Sequence, residues 1–222
     1  MRGFLLILRK DLHAEFRRPE SLVSMVFFGF LLLVILNLAI PLGSEISPET
    51  GAGILWVAIT FSSILGLSRT MSREKENRCI DGLLLSPVSI EALFCAKMAM
   101  NFVLMLIAQC SIIPLFFVLY GDSFLQSLPL LVLVVLLANT GFAAIGTLFS
   151  AITAGTDRNE ALLPLLFYPL VIPLISITVK VSSLIFQGAA PGEYSSWLYV
   201  MLAYGCIFTG LGVLLLSHIV RE

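Results

Sequence analysis

The sequence predicts an all-α integral membrane protein: six transmembrane helices, an amphipathic helix before them, and a charged helix between the second and third. Three observations carry this. The 222-residue chain is 59% hydrophobic and 12% charged, with a mean hydropathy of +1.02, whereas a soluble domain is roughly half apolar and about a quarter charged. Its charges divide it into six stretches, each long enough to cross a ~30 Å hydrocarbon core as a helix. These stretches are oily on every side, as in LLVLVVLLA at residues 130–138, where barrel strands would alternate. A soluble enzyme is excluded, and a formal net charge of -1 gives no reason to expect nucleic acid as a partner.

The first element is the stretch 1–20. Phe4, Leu5, Leu8, Leu12 and Phe16 recur at spacings of three and four, with Arg9, Lys10, His13, Arg17 and Arg18 mostly on the other side. That pattern predicts a helix lying in the membrane interface, its basic residues toward anionic headgroups. Pro19 ends it. The alternative is a plain positive topology signal. No secretory signal peptide is expected, because the apolar run FLLIL is followed at once by Arg9, Lys10 and Asp11.

The spans fall near 21–41, 51–68, 92–119, 125–153, 161–179 and 196–217, within one permease domain covering 1–222. The charge-free stretch between Asp122 and Asp157 holds 34 residues. It reads as one long helix, tilted or kinked near Asn139, Gly141 and Gly146. The stretch between Lys180 and Glu193 holds only 12, too few to cross, so 180–195 is expected outside, with a short interfacial or re-entrant helix as one form. Asn37, Gln109, Asn139 and Thr140 read as interhelical hydrogen-bonding groups more readily than as substrate contacts. Twelve of the 13 Lys and Arg residues lie on one side of this arrangement, and only Lys180 lies on the other. Both termini and the basic loops should therefore face the cytoplasm.

The link 69–91 is far longer than a minimal connection. Ser72 can cap a short helix with Glu74 in its first turn, Gly82 suits a helix end, Pro87 breaks the chain again, and Ser89 can cap the next span. The alternatives are a helix on which another subunit docks and a solvated connector. In span five, PLLFYPLVIP places Pro164, Pro169 and Pro173. Each is expected to remove a backbone hydrogen bond, which suits either a helix break beside a substrate path or a kinked packing helix. The four cysteines, Cys79, Cys95, Cys110 and Cys206, read as reduced packing residues.

Several chemistries are missing. No lysine follows a glycine, so no GxxxxGK[ST] phosphate-binding loop exists. No charge lies deep in a span, which weakens a proton-coupled pump, and no protease constellation is present. The only histidines, His13 and His218, sit at the cytoplasmic end, so haem ligation by histidine on the outer side is not expected. No catalytic, cofactor-binding or metal-binding residue is assigned.

The six spans, the leading interfacial helix and the link EKENRCIDGLLLSPVS resemble the permease subunits of ABC-2 (type II) exporters. Within that superfamily the chain is similar to cytochrome c maturation protein B, the haem exporter protein B family. The likeness covers nearly the whole length: LRKDLHAEFRRPE, GAGILWVAITFSSILGLSR, DGLLLSPVSIEALFCAK and YPLVIPLI, in that order. The resemblance implies a coupling helix seated in a groove of a separate ATPase subunit, with Arg73, Glu74, Glu76 and Asp81 in contact and Gly82 and Pro87 shaping the link. It implies a bacterial inner-membrane permease that is not itself an enzyme and binds no cofactor directly, ATP being held by the partner and haem handled by other subunits. The implied partners are maturation protein A (the ATPase), the haem-handling maturation protein C, the small maturation protein D, haem chaperone E, a second copy of the chain, and membrane lipids. The implied task is ATP-driven release of the haem-loaded chaperone rather than direct export of haem. The competing readings are an ABC-2 permease for a lipid, polysaccharide or drug, a membrane scaffold, and a channel, the last disfavoured because no span carries a ring of charge.

Overall fold

The computed structural model describes residues 2–41, 46–76, 89–121, 126–154 and 162–219. Among them are seven helices and no strand. They are α1 (Arg2–Arg17), α2 (Glu20–Leu38), α3 (Pro48–Glu76), α4 (Ile90–Tyr120), α5 (Leu128–Ala154), α6 (Leu162–Phe186) and α7 (Pro191–Ile219). The last six are each long and apolar enough to cross a membrane. Even the shortest, α2, has 19 residues, about 28 Å at ~1.5 Å per residue. This is the all-α, six-span membrane protein that the composition and the charge-free windows predict.

The ends of the helices have local causes. Ser89 caps α4, its side chain accepting a hydrogen bond from the Ala92 amide at 3.4 Å, with Glu91 in the first turn. Gly121, with φ of 95°, closes the same helix where a side chain would be strained. α6 runs through Lys180 to Phe186 and ends in a Schellman turn. There the Gly188 amide bonds to Ile185 O and the Ala189 amide to Leu184 O, with Gly188 at φ 71°. Pro191 then opens α7, and Glu193 reaches back to the Ala190 amide. Residues 180–195 are therefore the end of one span, a tight turn and the start of the next. The stop is set by Gly188, because a lysine carries no helix-breaking geometry.

In packing order the spans form a bundle with two flanks. α2 lies against α3 and α4, α7 lies against α4, α5 and α6, and among the described residues α2 and α7 do not touch. α3 meets α2, α4, α5 and α6 and is the most buried of the spans. Trp56, Leu55 and Ile59 of α3 are fully buried there, with Met105 and Ile112 of α4 and Phe142 of α5. Close approach depends on glycine at the seams. A side chain at Gly66 would collide with Met25, one at Gly146 with Leu67, and one at Gly212 with Phe94. Without a hydrophobic force between helices in lipid, such small-residue contacts and hydrogen bonds hold the bundle.

Candidate functional site

The strongest sequence candidate is the link between α3 and α4, at the face that also carries α1. The apolar part of α3 ends at Ser68, but the helix continues to Glu76, about 12 Å further at ~1.5 Å per residue. Ser72 therefore lies inside α3 and does not cap a separate helix. Nothing from Arg69 to Glu76 breaks a helix, so the second span simply runs on out of its apolar stretch. Arg73, Glu74 and Glu76 stand on this extension. Asp81, Gly82 and Pro87 lie outside the described residues. The link resumes at Ser89, whose cap starts α4 on the same face.

One ion pair and one carboxylate cap tie α1 to its neighbours. Asp11 Oδ2 lies 2.8 Å from Lys97 Nζ of α4, and the two side chains are only 12% and 14% exposed. The approach is close but off the hydrogen-bonding direction, so the attraction is chiefly charge on charge. Lys10 Nζ lies 3.5 Å from the other carboxylate oxygen. One turn further, the buried Glu15 carboxylate accepts from the Ser21 amide (3.2 Å), the Leu22 amide (3.3 Å) and Ser21 Oγ (3.4 Å). It satisfies the open amides at the start of α2, where negative charge is favoured. α1 thus turns Ile7, Asp11 and Glu15 toward the bundle and leaves Leu5, Leu6 and Phe16 exposed. The helical spacing groups Phe4 and Leu8 with Leu5 and Phe16, whereas in the structure Phe4 and Leu8 are half-buried against the protein.

From this end, polar contacts climb the bundle. Asn101 Nδ2 of α4 donates to Thr147 Oγ1 of α5 at 2.9 Å. Gln109 and Asn139 form a reciprocal amide pair at 2.9 and 2.6 Å, both side chains buried. The two pairs stand eight residues apart on each antiparallel helix, in one register. Asn37 Nδ2 donates to Leu119 O (3.2 Å), and Thr140 donates to its own helix at Leu136 O. Asn37, Gln109 and Asn139 make the interhelical bonds expected of them, whereas Thr140 bonds within its own helix. Sequence reasoning missed Asn101, although its matched spacing with Gln109 was readable. It also missed Trp56, whose Nε1 donates to Ser182 Oγ of α6 at 2.8 Å.

Span five departs in detail from its expectation. Pro164 is the third residue of α6, where its missing amide hydrogen would have had no partner, so it removes no bond. Pro169 and Pro173 lie within the helix, which continues past both, and both are on its exposed side. Tyr204 of α7 donates its hydroxyl to the adjacent carbonyl of Leu170. At the face opposite α1, Gln187 donates to Glu49, and Lys180 Nζ stands 4.0 Å from the Trp197 ring centre. Cys110 and Cys206 are exposed on the outside of the bundle, not packed within it, and Cys95 is half-buried. Among the described residues, no three of His, Cys, Asp and Glu gather where they could hold one metal ion.

Comparison with known proteins gives one consistent result. The family model described as CcmB protein matches residues 2–221, and the chain belongs to that family. It is 26% identical over 210 residues to heme exporter protein B of Pseudomonas aeruginosa, covering 95% of this chain and 94% of that protein. It is 27% identical over 172 residues to heme exporter protein B of Rhodobacter capsulatus, 76% of this chain and 77% of that one. The Paracoccus denitrificans protein of the same name is 29% identical over 157 residues, 67% and 70% of the two chains.

Proposed function

We propose that the chain is the membrane permease subunit of an ATP-driven complex that serves haem delivery in cytochrome c maturation. Membership of the CcmB protein family over residues 2–221 supports this, as does the name heme exporter protein B borne by relatives of matching length. The motor must come from elsewhere, because the sequence holds no phosphate-binding loop. The observation that carries the mechanism is the extension of α3 past its apolar stretch, on the face where α1 and the capped start of α4 meet.

In this reading that face is cytoplasmic, which the distribution of Lys and Arg supports, and the membrane is the bacterial inner membrane. An ATPase subunit, maturation protein A, grips the segment 69–91. Arg73, Glu74, Glu76 and Asp81 meet it, and Gly82 and Pro87 shape the turn back to α4. Two copies of the chain work with two ATPases. Closure of the ATPase pair moves the ends of α3 and α4, and the polar contacts between α4 and α5 carry that motion across the bundle. Maturation proteins C and D and chaperone E act on the outer side, where the output is release of the haem-loaded chaperone. Haem is cargo of the assembly, and this chain needs no bound cofactor of its own.

The test is purification of the tagged chain from its own membranes in mild detergent. An ATPase and the haem-handling proteins should accompany it. The double charge reversal E74K/E76K should abolish ATPase copurification while the chain stays at normal abundance. Unchanged copurification and cytochrome assembly would remove the docking assignment. An ATPase that the reconstituted chain does not stimulate would favour a scaffold, and copurifying lipid- or polysaccharide-export components would favour a different exporter.

A further inference from the structure

The mechanism above leaves two largely buried carboxylates unexplained, Asp11 and Glu15, both on the side of α1 turned to the bundle. A helix whose only task was to rest in the interface would face the protein with apolar groups. Carboxylates placed here must be matched, since breaking an enclosed ion pair leaves an uncompensated charge. Their partners lie on different elements. Asp11 pairs with Lys97, two turns past the Ser89 cap where the link re-enters the bundle. Glu15 holds the first amides of α2. The two anchor points are one helical turn apart on a single stiff helix, and among the described residues α1 otherwise touches only α4 and α2.

We infer that α1 is a lever: the Asp11–Lys97 pair fastens it to the end of the coupling segment, and the Glu15 cap passes that segment's displacement to α2. This rests on the proposed coupling function and adds a second route out of the coupling segment. One route runs directly through α3 and α4. The other runs from Lys97 through α1 to the start of α2, a span that also packs along α3 and α4 but among the described residues has no contact with α5, α6 or α7.

The test uses the intact complex. The single reversals D11K and K97D should each lower cytochrome c assembly about tenfold, within the range of a typical coupling between two sites. Chain abundance and ATPase copurification should stay normal. The exchanged pair D11K/K97D, which restores opposite charges, should recover most of the loss. Normal assembly in either single variant overturns the lever. So does a fall in chain abundance that parallels the fall in assembly, because that marks a folding role. ATPase copurification reports on the docking reading and charge-exchange rescue on this one, so the two fail separately. A second measurement avoids reversed charges. In the complex lacking native cysteines, spin labels at Ala14 and Glu91, both exposed, should keep their separation through the nucleotide cycle while the distance from Ala14 to Tyr199 changes. A changing Ala14–Glu91 distance, or a constant Ala14–Tyr199 distance, overturns the lever.

Discussion

Helices α3 and α7 have the same length, 29 residues, yet they occupy opposite conditions. In the apolar part of α3, 72% of residues are buried within the chain; in that of α7, 17% are. The buried helix is not the oilier one. α3 carries Gly51, Ala52, Ala58, Thr60, Ser62, Ser63 and Gly66, while α7 shows Tyr199, Leu202, Ile207, Leu211 and Leu214 to the outside. In lipid, exposure to the surroundings is no penalty for leucine, so hydrophobicity does not mark the centre. Small side chains and serine hydroxyls do, because they permit close approach and find hydrogen-bond partners there, although Thr60 Oγ1 is buried without one. Ser62 Oγ donates to Met25 O at 2.7 Å, and Trp56 reaches Ser182.

The contrast can be broken by substitution, most sharply at Trp56. Trp56→Ala removes a fully buried ring and its hydrogen bond, and about 3–5 kcal/mol of stability should go with it. Tyr199→Ala, on the outside of α7, should stay within about 0.5 kcal/mol. Thermal unfolding of the purified chain in detergent compares the two, and equal losses would undo the assignment of α3 as the buried centre. Glycines give the next effect. Gly146→Ala puts a Cβ against Leu67, whereas in Gly210→Ala the added Cβ meets nothing within 4 Å. The first should cost about 1–3 kcal/mol, and the second should leave the melting temperature unchanged. The smallest effect is polar. Gln109→Leu strands the Asn139 amide and should cost about 0.6 kcal/mol, up to ~1.7. Adding Asn139→Leu should cost less than the sum of the single variants. Strict additivity in that cycle would mean that the two amides act independently.

How much of this is legible in the sequence follows the same division. The spans are legible because charge is costly inside a membrane, and Ser89 is legible because caps are local. The fold class needs nothing more. The start of the charged helix after the second span is misjudged at Ser72, because a serine that can cap a helix can also sit inside one when nothing upstream stops the chain. The far end of α6 is misjudged at Lys180, where charge reads as a boundary although the backbone signal lies at Gly188. The inward face of α1 is hidden for a different reason. A hydrophobic wheel mixes residues turned to the protein, such as Leu8, with exposed ones such as Leu5, and Asp11 and Glu15 become intelligible only once Lys97 and the start of α2 are in place. Which span neighbours which also lies beyond the sequence, since six uniformly oily helices admit many arrangements.

The paired amides and the Asn101–Thr147 contact share one spacing on α4 and α5. Sliding either helix by a single turn would unmake both contacts at once and leave four polar side chains facing hydrocarbon, where each lost partner is costly. The two helices are therefore bolted at two points along their length, like a ladder with two rungs. Shape change in this subunit therefore carries α4 and α5 along as one body and spares the seam between them.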